Sequence, residues 1–222
     1  MLNIEIFFIL FGSYLFGSIH PILIISKYFG KINLNEKGTK NIGLGNFITY
    51  MGKKWGVVLL PYEFGIKGCL PIIIGQKFQL ENQLILNISI MVIIGHCWSI
   101  FNNFKGGRGI LAGSGILLII NPIIFFISLI FVISGKYVIK LNDSALLILL
   151  AILLLPIWGM FFESTVNIYH FSILFSLVTL IKRLLSNSLP NLKNKSNIKN
   201  IMFYRLIYDR DIKNRNKWKN QH

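Results

Sequence analysis

Long apolar runs alternate with short loops rich in glycine and lysine along this chain. The runs near residues 5–27, 56–75, 83–100, 144–161 and 166–184 each approach the roughly 17–25 apolar residues that a membrane helix needs. The stretch 109–138 is too long for one span and carries Asn121-Pro122 near its middle. Proline removes a backbone donor and biases the residue before it away from α. The pattern therefore predicts two short helices, 109–120 and 122–138, joined by a tight turn. At about 1.5 Å per residue, the first would be roughly 18 Å long. That is shorter than a hydrocarbon core of about 30 Å, so neighbours must shield it or it must line a cavity. The expectation is an all-α integral membrane protein of about seven transmembrane helices, some of them short. Residues 1–185 would form the polytopic domain, and 186–222 a separate tail.

Composition agrees. The chain is 54% hydrophobic and 14% charged, against about 25% charged in soluble domains. Its net charge of +15 is unevenly spread, with eleven of the 23 Lys and Arg between residues 182 and 222, beside only Asp209 and Asp211. Cationic loops stay on the cytoplasmic side. With seven spans and the N-terminus outside, every Lys and Arg except Lys67 and Lys77 falls in a cytoplasmic loop or the tail. A six-span count would put the loop 136–143 and the tail opposite the other basic loops. The cytoplasmic tail suits an anionic leaflet, and no nucleic-acid recognition motif accompanies it. The first run is polar in its middle (Gly12, Ser13, Gly17, Ser18, His20) and lacks a basic start, so it reads as a retained helix rather than a cleaved leader. Cys69 and Cys97 match no zinc or disulfide spacing. No metal and no cofactor are expected.

In this topology two polar, glycine-rich loops meet the cytoplasmic face: "EKGTKNIGLGNFITYMGKKWG", 36–56, and "GHCWSIFNNFKGGRGILAG", 95–113. The second leads directly into a helix starting near Gly109. A helix N-terminus with its unpaired N–H groups favours phosphate, and Lys105 and Arg108 add full charges. The Walker spacing GxxxxGK[ST] is absent. Charge and glycine alone fit a phosphate site and a loop whose cations snorkel to lipid phosphates equally well. His96 ends the third span, where it could titrate or cap helix carbonyls. His20, in the first span, reads as packed or hydrogen-bonded between helices. Glu63 and Lys67, four apart in the second span, can pair, as structural ions or as functional groups.

The stretch 95–113 resembles the second signature, roughly GHxxPxFxxFKGGKGVAT, of the bacterial acyl-phosphate:glycerol-3-phosphate acyltransferases, the PlsY family. Gly95, His96, Phe101, Phe104, Lys105, Gly106, Gly107 and Gly109 match, and Arg108 keeps the charge of a lysine. Ser99 and Ala112 depart from the proline and threonine. The earlier loop is similar to GSGNxGATNxxR through Gly38, Asn41, Gly43 and Asn46. Thr39 keeps a hydroxyl, Lys40 replaces a glycine, and Thr49 stands where the arginine would be. "YLFGSIHP" (14–21) and "IKGCLP" (66–71) are similar to YLLGSIP and KGxLP. The third signature, near HRxNIxRLLxGxE, survives as "IKRLL" (181–185), with Leu177 and Leu180 in place of its histidine and asparagine; Asn197 is a displaced substitute. Residues 203–218 extend past the family pattern.

The resemblance implies transfer of a fatty acyl group from acyl-phosphate to the sn-1 hydroxyl of glycerol 3-phosphate, giving lysophosphatidate at a bacterial inner membrane, in contact with membrane lipids. It implies no metal, acyl carrier or acyl-enzyme. In this reading Lys105 and Arg108 hold phosphate with the N–H groups of Gly106 and Gly107. Thr39, Lys40, Asn41 and Asn46 orient glycerol phosphate, Ser144 supplies a hydroxyl, and His96 orients a loop or assists proton transfer. Two other readings remain open: a paralogue that binds a phosphorylated ligand without this turnover, and an anion transporter.

Overall fold

The computed structural model describes residues 3–141, 143–162, 167–187 and 195–214, without the side chains of 195–197; Asn197 therefore lies outside the described side chains. The regular elements among the described residues are all helices, with no strand among them. Helix α1 (Asn3–Ser18) is followed by α2 (Pro21–Tyr28), α3 (Leu44–Met51) and α4 (Lys53–Leu60). Helix α4 runs on through a π-helical segment (Pro61–Cys69) into α5 (Leu70–Lys77). Helix α6 (Asn82–Cys97) ends in a short 3-10 turn, Ile100–Asn102. Helices α7 (Ile110–Ile120), α8 (Pro122–Tyr137), α9 (Ser144–Gly159), α10 (Ile168–Leu185) and α11 (Lys195–Tyr208) complete the order.

Four stretches, Asn3–Tyr28, Lys53–Lys77, Asn82–Asn102 and Ile168–Leu185, are long and apolar enough to cross a membrane. Helices α7, α8 and α9 are apolar but shorter. Phe7, Phe8, Val57, Val58, Ile130 and Ile133 are exposed, as a lipid-facing surface requires. The Asn121-Pro122 break falls where the pattern placed it. Asn121 caps α8 by accepting from the Ile124 N–H at 3.0 Å. Short α7 is shielded, as its length demanded: Ala112, Gly113, Gly115, Ile116 and Leu117 are buried against the π segment, α6, α8 and α10.

Two local expectations fail. The first run is not one helix; it breaks at Ile19 and His20, before Pro21. The loop 36–56 contains a helix, α3, because Leu44 and Phe47, three apart, give it a buried face.

Glycine sets the closest approaches. A Cβ on Gly17 would strike the Val92 carbonyl, and one on Gly95 the Tyr14 carbonyl, so α1 and α6 pack backbone to backbone. The Ser18 and Ser99 hydroxyls tie the same pair through Gly95 and Ser18 carbonyls, at 3.3 and 2.6 Å. Gly68 and Gly115 let the π segment and α7 touch in the same way.

Candidate active site

At one end of the bundle a cavity of about 620 Å³ opens between the first loop with α3, the start of α7, the start of α9, the end of α10 and the turn after α11. Thr39, Asn41, Asn46, His96, Arg108 and Ser144 line it. The two glycine-rich loops thus form one site, and the size suits a small ligand.

The first loop is shaped from within. Asn46, 8% exposed, donates its amide to the Lys37 and Asn41 carbonyls, both at 3.1 Å, and accepts from the Thr39 N–H at 3.3 Å. Its polar groups fold the loop, which leaves little of them for a ligand. Gly38 is left-handed at φ 58°, and a Cβ there would overlap the Asn46 side chain. Asn41 is different: its buried Oδ1 has no hydrogen-bond partner. A buried acceptor left open at a cavity wall is costly unless a ligand donor meets it. Thr49, where an arginine was expected, bonds the Gly45 carbonyl at 2.9 Å.

The second loop is arranged otherwise than its sequence suggests. Gly106 and Gly107 are buried, and their N–H groups are already donated, to Asn187 Oδ1 at 3.3 Å and to the His96 carbonyl at 3.0 Å. Neither glycine lines the cavity. They let the loop pass close by: a Cβ on Gly107 would overlap the His96 ring and crowd the Ile42 carbonyl. Lys105 is exposed, and neither Lys105 nor Lys40 lines the cavity. Arg108 does line it, with Gly109, Ile110 and Leu111 at the start of α7. Gly109 is left-handed at φ 74° and turns the chain into the helix, whose first N–H groups have no partner within it. Arg108 is 7% exposed; its Nη1 donates to the Lys182 carbonyl at 3.0 Å and its Nε to Asp209 at 2.6 Å.

Glu63 and His96, both on the cavity wall, belong to a buried polar cluster. Lys67 Nζ meets both Glu63 oxygens, at 3.3 and 3.2 Å, and the Ile19 carbonyl at 2.6 Å. The break in the first run frees that carbonyl. Glu63 Oε2 is also 3.2 Å from His96 Nδ1. His96 Nδ1 thus sits between the Glu63 carboxylate and the Lys67 ammonium. The His20 ring packs on His96 with centroids 4.8 Å apart, but neither His20 nitrogen has a hydrogen-bond partner. His20 is thus packed rather than hydrogen-bonded. Ligand atoms of His20, Glu63 and His96 lie within 4.8 Å of one another, close enough to suggest a metal-binding group. The Lys67 ammonium, 3.4 Å from His96 Nδ1, already supplies the cation that Glu63 faces.

Several site residues escaped the sequence reading. Asn187 accepts from Gly106 N–H and Lys182 Nζ, and donates to the Lys40 and Gly106 carbonyls, both at 2.8 Å. It lies two residues beyond "IKRLL", a place that carried no signal by itself. Arg183, within that motif, lines the cavity and donates to the Ala145 and Leu206 carbonyls. Asp209 and Arg210 reach the cavity from the segment for which the sequence offered no chemistry.

The family model described as Glycerol-3-phosphate acyltransferase matches residues 7–203. A Glycerol-3-phosphate acyltransferase of Campylobacter concisus is 30% identical over 141 residues, 60% of this chain and 68% of that one. Another, from Legionella pneumophila strain Corby, is 28% identical over 202 residues, 87% of this chain and 70% of its own. Glycerol-3-phosphate acyltransferase 4 of Dehalococcoides mccartyi is 26% identical over 219 residues, 95% of this chain and 91% of that one. The fold is similar to crystal structures of PlsY (YgiH), an integral membrane glycerol 3-phosphate acyltransferase. The glycerol 3-phosphate form matches at TM-score 0.72 and 20% identity, over 90% of this chain and 94% of that one. The lysophosphatidic acid form matches at 0.70 and 19%, over 90% and 93%. With a family match over most of its length and an all-helical, multi-pass membrane architecture, this chain belongs to the glycerol-3-phosphate acyltransferase family.

Proposed function

We propose that this chain transfers a fatty acyl group from an acyl phosphate to the sn-1 hydroxyl of glycerol 3-phosphate, releasing lysophosphatidate and phosphate. One observation carries the reading. The polar cavity holding Arg108 and the N-terminus of α7 shares Ile110, Leu111 and Ile148 as walls with a second, apolar cavity of about 290 Å³. That second cavity is lined by Leu117, Phe125, Leu129, Val132, Leu155 and Phe175 among others. A charged head group and an alkyl chain on one molecule would fit across that junction.

In this reading Arg108 and the first turn of α7 hold phosphate. Lys105, outside the cavity wall, adds to the positive field that draws anions in. Asn41 Oδ1 accepts from a glycerol hydroxyl, with Thr39 and Ser144 alongside. Lys40, Asn46, Gly106 and Gly107 act through the shape of the two loops. The glycerol hydroxyl oxygen attacks the acyl carbonyl carbon, the bond from that carbon to the phosphate oxygen breaks, and the hydroxyl proton passes to His96 or the departing phosphate. The acyl phosphate is already activated, so alignment and charge stabilisation suffice for the step. The positive-inside distribution supports an external N-terminus and a cytoplasmic site and tail, and the bacterial relatives support a bacterial inner membrane.

Purified protein in detergent, given palmitoyl phosphate and glycerol 3-phosphate, should form lysophosphatidate. No product beside an active control would overturn the proposal. Phosphate binding without turnover would favour the non-catalytic paralogue, and flux of the substrate anion across proteoliposomes the transporter.

A further inference from the structure

The turn after α11 brings a carboxylate onto Arg108, the arginine assigned to the proposed phosphate site. Asp209 Oδ1 accepts from Arg108 Nε at 2.6 Å, and Tyr208, Asp209 and Arg210 form part of the cavity wall. The turn is held by two further arginine–aspartate pairs. Arg205 donates from Nε and Nη2 to the two Asp211 oxygens, at 2.5 and 3.1 Å. Arg210 Nη2 donates at 2.7 Å to Asp143, whose other oxygen accepts from Ala145 N–H at the start of α9. Asp209 itself sits in the left-handed region at φ 54°, an unfavourable conformation for a non-glycine residue. The family match ends at residue 203, before Asp209 and Asp211.

We propose that Asp209 is a built-in competitor for the phosphate site and so determines which anions enter it. The proposal rests on the reading of Arg108 as the phosphate-holding residue. Arg108 is 7% exposed, so an incoming anion reaches its Nε only by replacing the Asp209 carboxylate. A phosphate dianion, with more charge and three acceptor oxygens, wins that exchange; a singly charged carboxylate gains nothing over the one already there. Apparent affinity is lowered by the fraction of protein in which the strap covers Arg108. Discrimination comes at the expense of affinity, as in other sites that use a repulsive or competing group.

The test titrates inorganic phosphate, and separately acetate, into the detergent-solubilised full chain by calorimetry, comparing wild type with Asp209→Asn. The variant should bind phosphate roughly five- to tenfold more tightly, and acetate should bind measurably only to the variant. Asp211→Asn loosens the strap without touching Arg108 and should tighten phosphate binding in the same direction by a smaller factor. It carries the test if Asp209→Asn fails to fold. Unchanged or weaker phosphate binding in a folded variant overturns the proposal, since it would mean that Asp209 only steadies Arg108. The readout needs no turnover, so a failed acyl-transfer assay would count against the proposed reaction alone.

Discussion

Asn187 and Gly106 exchange two hydrogen bonds: the Asn187 Oδ1 accepts from the Gly106 N–H at 3.3 Å, and its Nδ2 donates to the Gly106 carbonyl at 2.8 Å. With its further bond to the Lys40 carbonyl, one side chain two residues past α10 ties both glycine-rich loops together. Asn187→Asp turns a donor into an acceptor facing two carbonyls. Unmet polar groups of this kind cost about 1–3 kcal/mol. Thermal unfolding in detergent should shift downward, and acyl transfer should fall about tenfold or more; wild-type behaviour would mean that the loops hold their shape without the clamp.

Gly107→Ala should damage the site through packing rather than through a lost phosphate contact. Its Cβ would overlap the His96 ring, whereas a Cβ on Gly45 would meet nothing within 4 Å. Overpacking of this kind costs about 1–3 kcal/mol. The variant should lose stability and turnover together, while Gly45→Ala keeps wild-type stability. A Gly107→Ala protein of unchanged stability with only a raised KM for glycerol 3-phosphate would restore the amide-to-phosphate reading.

Lys40 and Arg108 carry equal charge but should not matter equally. Arg108 lines the cavity and Lys40 does not. Loss of a charge-assisted contact worth about 1.5–3 kcal/mol corresponds to roughly ten- to a hundredfold. Arg108→Ala should raise the KM for glycerol 3-phosphate by such a factor, and Lys40→Ala by less than about twofold. A tenfold rise for Lys40→Ala would show that its side chain reaches the ligand.

Glu63 and Lys67 are both buried to within 1%. Removing one partner leaves a buried charge, at a cost of about 3–5 kcal/mol. Lys67→Met should therefore destabilise the protein more than the double change Glu63→Gln with Lys67→Met. The comparison is made by thermal unfolding in one detergent; a double variant less stable than the single one would show that the pair contributes net stability.

The sequence by itself determined the helical membrane architecture, the break at Asn121-Pro122, and the meeting of two glycine-rich loops at one end. These follow from local rules: apolar run length against bilayer thickness, the missing N–H of proline, and the sidedness of cationic loops. It also singled out Arg108, His96 and Asn41, which the fold brings to one cavity wall. It could not show which N–H groups remain free. The amides of Gly106 and Gly107 are consumed by Asn187 and by the His96 carbonyl, 81 residues on and 11 residues back along the chain. Nor could it show that Glu63, Lys67 and His96 share one buried cluster, or that Asp209 reaches Arg108 across 101 residues. Hydrogen bonds and ion pairs depend on distance in space, and within a membrane helix sequence spacing fixes that distance for only about one turn. Beyond it, the packing of α1 on α6 and of α11 on α10 decided the chemistry of the cavity.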